Sequence, residues 1–99
     1  MRRARVMVTT RSVQLRILGL VQGVSYRATA QDEALRRGLV GWVRNLPTGD
    51  VEAFASGPVE AVNGFVEWCH RGPEEARVTG VTVREVDADA SVKGFVVRR

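Results

Sequence analysis

Apolar residues in this chain change period four times, and those changes lay out a fold before any motif is considered. Val13, Leu15 and Ile17 alternate with Gln14 and Arg16, the period of two that marks a strand with one buried face. From Tyr26 the spacing lengthens. Ala30, Ala34 and Gly38 fall along one line of a helix, with Gly38 placed to cap its C-terminus. Leu39 to Asn45 returns to strand, and Pro47-Thr48-Gly49-Asp50 is turn chemistry. Val51, Ala53 and Ala55 then alternate with Glu52 and Phe54, which completes a hairpin.

Gly57-Pro58 opens a second helix, with proline at a first helical position whose N–H has no partner to lose. Val59, Val62, Phe65, Val66 and Cys69 form its apolar stripe, and Gly72-Pro73 stops it. Arg77 to Val86 reads as a fourth strand, with Val81 and Val83 on one face. Asp87, Asp89 and Ser91 mark a turn, and Lys93 to Arg98 is a short last strand.

The order is therefore strand, helix, strand, strand, helix, strand, with one short strand added. It predicts an α+β fold, the ferredoxin-like α/β sandwich (βαββαβ), in which two helices cover one face of an antiparallel sheet. At 99 residues the chain supplies one core and no second. Residues 1–10 read as a basic, flexible extension, with Met7 an alternative start, and residues 11–99 as the domain. No apolar segment with a cleavage site follows the basic start, so no secretory signal is expected, and no apolar run approaches the ~20 residues that cross a bilayer.

Cys69 is the single cysteine and has no internal disulfide partner, so the expected compartment is cytoplasmic. Cys69 reads as a small core hydrophobe, the single histidine His70 as a surface residue, and Trp42 and Trp68 as packing. Cys69 and His70 together fall short of the three or four protein ligands that zinc takes, so no metal and no other cofactor is expected.

Charge is unevenly spread. Residues 1–50 hold nine Arg against three acids, whereas residues 51–99 hold six basic residues against eight acids. The first half is thus the place to look for an anion site. It contains Gly19-Leu20-Val21-Gln22-Gly23-Val24-Ser25, a glycine-punctuated loop that feeds a helix N-terminus. Glycines let backbone N–H groups turn toward a ligand, and the helix dipole favours negative charge there. Arg27 lies in the first turn, where its own charge opposes the dipole. A bound phosphate would relieve that conflict, while a solvated arginine pointing away is equally compatible with the residues. Asn45 at a strand end is open in the same way, as a turn cap or as a functional amide.

Two longer stretches carry more information. Gly19-Leu20-Val21-Gln22-Gly23-Val24-Ser25-Tyr26-Arg27 resembles the acylphosphatase signature G-x-V-Q-G-V-x-[FY]-R. Gly41-Trp42-Val43-Arg44-Asn45-Leu46-Pro47-Thr48-Gly49-Asp50-Val51-Glu52 is similar to the same family's second signature. The similarity runs from about Val13 through Gly57-Pro58 and Trp68 to Pro73, up to Phe95-Val96-Val97-Arg98. It implies a ferredoxin-like fold and metal-free hydrolysis of the carboxyl–phosphate bond of a small acyl phosphate. It also implies that Arg27 binds the phosphate with backbone N–H groups of Gln22, Gly23, Val24, Ser25, Tyr26 and Arg27, and that Asn45 orients the attacking water. The pair Ser25-Tyr26 departs from the family's usual Gly or Phe followed by Phe.

The motifs offer no His, Cys, Asp or Lys for acid, base or nucleophile work. That suits an acyl phosphate, whose carboxylate leaving group (conjugate acid pKa about 4) departs unprotonated. The competing expectation is a non-catalytic ferredoxin-like module that holds an anion or RNA. A pI of about 10.5 and Lys93-Gly94-Phe95-Val96 favour RNA, but Phe54 is the only aromatic on the third strand, too few for base stacking. A monomer without nucleic-acid or membrane partners is the expected state.

Overall fold

The computed structural model describes residues 9–99; residues 1–8, most of the basic extension, lie outside the described residues. Seven elements follow in order: β1 (Thr10–Leu20), α1 (Tyr26–Arg36), β2 (Val40–Asn45), β3 (Val51–Pro58), α2 (Val59–Arg71), β4 (Arg77–Glu85) and β5 (Phe95–Arg98). They build one five-stranded sheet in the order β4-β1-β3-β2-β5. The fold is α+β and ferredoxin-like, as the periodicities indicate.

Four strands pair antiparallel, β4 with β1, β1 with β3 and β3 with β2. The fifth strand makes the sheet mixed, because β5 lies parallel to β2 with Gly41 opposite Phe95 and Arg44 opposite Arg98. A parallel neighbour requires a long connection rather than a tight turn. Here β3, α2 and β4 all intervene before the chain crosses to the β2 edge. Gly41 N–H donates to Gly94 O at 2.8 Å, and the Gln31 side chain of α1 donates to Phe95 O at 2.9 Å, so the short strand is held from both sides.

One face of the sheet carries the core. Val13, Leu15 and Ile17 of β1, Val43 of β2 and Val51, Ala53 and Ala55 of β3 are buried with Ala30 and Ala34 of α1 and Val62, Phe65 and Cys69 of α2. The intervening residues point to the other face. There Arg16 pairs with Asp50 at 2.7 Å, Arg44 with Glu52 at 2.7 Å, and Gln14 bridges Glu52 and Arg84. Trp42 stacks on Phe54 on that side, with the Arg98 guanidinium 4.5 Å and that of Arg44 5.4 Å from its ring centre. Trp68, by contrast, is part of the core, between Tyr26 and Phe65.

Helix α1 ends where its glycine indicated. Gly38 N–H bonds Leu35 O and Leu39 N–H bonds Ala34 O, the two bonds of a Schellman cap. The start of α2 differs from the sequence reading. β3 continues to Pro58, opposite Thr10, and Pro58 precedes the helix rather than occupying its first turn. The strand passes into α2 with no loop, and Val59 N–H is satisfied by Thr9 O at 2.9 Å. On the edge strand β4, Val81 reaches the core only in part, and Val83 is 37% exposed.

Gly41 is fixed by a close approach. Its φ of +153° sets a Cβ at that position 1.8 Å from Phe54 O, so no other residue fits between β2 and β3 there.

Candidate active site

The loop between β1 and α1 is shaped by two residues in left-handed conformation. Gly23 has φ +77° and Ser25 φ +62°, ψ +26°. For serine that conformation costs about 1–2 kcal/mol. Ser25 sits at the N-cap without the side-chain bond such a residue normally supplies. The first bond of the helix end is Thr29 N–H to Ser25 O, 3.1 Å. The N–H groups of Tyr26, Arg27 and Ala28 therefore have no helical partner and crown the start of α1.

This end of α1 faces the tip of β2. A pocket of about 240 Å³ opens between them, lined by Val21, Gln22, Gly23, Ser25, Tyr26, Arg27, Ala28, Asn45 and Val97. Arg27 and Asn45, 18 positions apart in sequence, thus meet at one cavity. Arg27 is partly buried and donates one Nη1 hydrogen bond to Arg98 O, 3.1 Å, on β5. That contact aims the guanidinium and leaves its other N–H groups for a ligand. Asn45 closes the β2–β3 ladder opposite Val51, and its Oδ1 is buried with no hydrogen-bond partner among the described residues. A buried amide oxygen without a donor is costly, of the order of 1–3 kcal/mol. Its presence beside an open pocket marks a place for a donating ligand.

Of the loop residues singled out from the sequence, Gln22, Gly23, Ser25, Tyr26 and Arg27 line the pocket. Val24 does not; its side chain packs against the core. Val21, within the loop the sequence had picked out, lines it as well, and so do Ala28 and Val97, which sequence reasoning missed. Val97 carried no signal at all, because only the parallel docking of β5 brings it there.

Tyr26 anchors the site from below. Its hydroxyl donates to Cys69 O of α2 at 2.7 Å, and its ring lies 5.4 Å from that of Trp68. Burial holds the phenol well above its ordinary pKa and pushes the Cys69 thiol up to about 12, so neither group ionises near neutrality. His70 is exposed, with its ring Nδ1 3.0 Å from Val66 O. Among the described residues no three His, Cys, Asp or Glu side chains form a group that would hold a metal ion. No helix there is long and apolar enough to cross a membrane. The pocket thus presents one cation, the side-chain amides of Gln22 and Asn45 and a set of backbone donors, an arrangement with the chemistry to hold a tetrahedral anion and a small hydrogen-bonding molecule beside it.

Residues 13–97 match the family model described as Acylphosphatase. A curated acylphosphatase of Rubrobacter xylanophilus is 48% identical over 90% of this chain and 81% of its own. The crystal structure of acylphosphatase from Bacillus subtilis superposes with a TM-score of 0.86 at 34% identity, covering 92% of this chain and 100% of that one. The acylphosphatase structure from Coxiella burnetii gives 0.83 at 36%, covering 90% and 93%.

Proposed function

The chain belongs to the acylphosphatase family and is a hydrolase of that kind, and from this premise we propose how its pocket performs the reaction. The phosphate of a small acyl phosphate sits on the N-terminus of α1. It accepts hydrogen bonds from the loop amides of Gln22 to Arg27 and from the Arg27 guanidinium. Asn45 Oδ1 accepts a hydrogen bond from the attacking water and aims its oxygen at phosphorus. The observation that carries this reading is the buried, unpaired Oδ1 at the same cavity as Arg27.

Water oxygen forms the new P–O bond while the bond from phosphorus to the acyl oxygen breaks. The acyl oxygen leaves with the electron pair as a carboxylate, and a phosphate oxygen takes the water's proton. No protein acid is needed, because the leaving carboxylate has a conjugate acid of pKa about 4. Phosphoryl transfer passes through a loose transition state with charge on the equatorial oxygens, so positioning and electrostatics supply most of the catalysis. Arg27 and the helix end provide the charge, Asn45 provides the geometry, and no metal takes part.

The protein acts as a cytoplasmic monomer on a small metabolite, without a nucleic-acid partner. In support, guanidiniums on the open sheet face already have protein partners: Arg16 pairs with Asp50, Arg44 with Glu52, Arg84 with Gln14, and Arg98 lies over Trp42. The test is benzoyl phosphate hydrolysis in the presence of a chelator, by the wild type, Arg27→Gln and Asn45→Ala. Turnover indifferent to chelator and lost by orders of magnitude in both folded variants is the expected result. Full activity in either variant would overturn the role assigned to that residue.

A further inference from the structure

The phosphate cradle and the water-holding amide sit on different pieces of the fold. The cradle belongs to the β1–α1 loop, whereas Asn45 belongs to the β2–β3 hairpin. In-line attack requires a fixed distance between the two. The Gln22 side chain joins them. Its Nε2 donates to Leu46 O at 2.8 Å and to Asp50 O at 2.9 Å, spending both of its N–H bonds on the neck of the hairpin. Leu46 follows Asn45 directly, and Asp50 precedes Val51, the ladder partner of Asn45.

The hairpin neck does not depend on Gln22 for its own closure. Leu46 N–H already donates to Asp50 O at 2.8 Å, and Gly49 N–H to Leu46 O at 3.1 Å. Each carbonyl therefore keeps a backbone donor without the glutamine. What the side chain adds is the position of the loop relative to the hairpin. We propose that Gln22 is a positioning residue for hydrolysis, a two-pronged tie that sets Asn45 and its water at attacking distance from phosphate held by the loop. The proposal rests on the reading of Arg27 and Asn45 given above.

The two roles separate kinetically. Inorganic phosphate touches the cradle alone, whereas kcat needs cradle and water in register. Gln22→Met keeps the bulk and removes both donors. It is expected to lower kcat about 10–100-fold, the scale of a misplacement near 1 Å. The inhibition constant for inorganic phosphate should change less than about 3-fold, because the groups that bind it stay on one element. In an Asn45→Ala background the same substitution should cost almost nothing further, since the misplaced partner is already gone. Gln22→Glu supplies a second line if Gln22→Met fails to fold. As a carboxylate it faces two carbonyl oxygens, and once protonated it donates one O–H. Its kcat relative to wild type should therefore rise as pH falls.

Wild-type kcat in Gln22→Met, a Gln22→Glu ratio flat with pH, or full multiplication of the two losses in the double variant would overturn the proposal. So would a rise in KM and in the phosphate constant together with an unchanged kcat, which would make the side chain part of the cradle. Wild-type kcat in Asn45→Ala would instead overturn the water assignment itself, and this proposal with it.

Discussion

Replacing Tyr26 with phenylalanine removes one oxygen atom and tests how the floor of the site is built. The acceptor of its hydroxyl, Cys69 O, lies in the last turn of α2. The residue four positions on is Pro73, which has no N–H to offer, so the helix cannot satisfy this carbonyl itself. Both residues are buried, Tyr26 at 2% and Cys69 at 0% exposure. Tyr26→Phe therefore loses a hydrogen bond and strands a buried acceptor, at a cost of about 1–3 kcal/mol. For a domain of this size that corresponds to a fall in Tm of ~4–8 °C per kcal/mol. Urea titration should show a lower midpoint with an unchanged slope, because the surface buried on folding stays the same. At 25 °C, kcat for benzoyl phosphate should stay within about 2-fold of wild type, since the ring keeps its packing on Trp68 and the backbone of the cradle is undisturbed. A loss below ~0.5 kcal/mol would refute the reasoning, because the carbonyl would then have another donor. A large drop in kcat with stability preserved would place the hydroxyl in the chemistry instead.

Arg27→Gln should reduce kcat/KM by about 10³-fold or more, and Asn45→Ala by about 10²–10³-fold, with Arg27→Gln melting near the wild type and Asn45→Ala at or above it, because that variant no longer buries an unpaired Oδ1. Gly41→Ala should destabilise by more than ~3 kcal/mol and give little folded protein by circular dichroism, because its Cβ meets Phe54 O at 1.8 Å. The folded Cys69 thiol holds its proton up to about 12 against an ordinary value of 9.0, so the unfolded chain ionises first and stability should fall as pH rises above 9.0. Cys69→Ala should lessen that alkaline slope in urea titrations at pH 8 and 10, and in the wild type a thiol reagent should label Cys69 only as fast as the protein opens. At the acid end, the Arg11 hydrogen bond holds the Glu85 carboxyl below its usual range. The small stability this adds is present above the ordinary carboxyl pKa of 4.5 and lost as pH falls through the depressed one, and Glu85→Gln should remove it.

Much of this architecture was legible in the residues, and the remainder was hidden for physical reasons. Val13, Leu15 and Ile17 alternate cleanly because one face of β1 is buried and the other carries Gln14 and Arg16. α2 was equally plain, since its apolar stripe is its buried face. Pro58 was misplaced because glycine followed by proline signals a break, whereas here an edge of β3 passes straight into the helix. β5 was visible as a strand but not as a parallel one. Four residues with exposed Val96 and Val97 carry no record of which edge they join. Arg27 and Asn45 stood out only through the two long motifs, because each alone fits an ordinary surface or turn role. The side chain of Gln22 escaped attention, since its partners are carbonyls 24 and 28 positions away, a kind of contact that leaves no trace in composition or period.

The parallel docking of β5 also sets a schedule for the appearance of activity. Arg27 leans on a carbonyl 71 residues further along the chain. During synthesis the cradle leaves the ribosome before the hairpin with Asn45, but the strand that seats the arginine comes after the other described elements. An emerging chain can thus hold its helix and its loop and still lack an aimed guanidinium. With Arg27 in the role proposed for it, turnover should wait until β5 has closed the sheet beside β2, and fragments that stop before this strand should be silent toward acyl phosphates.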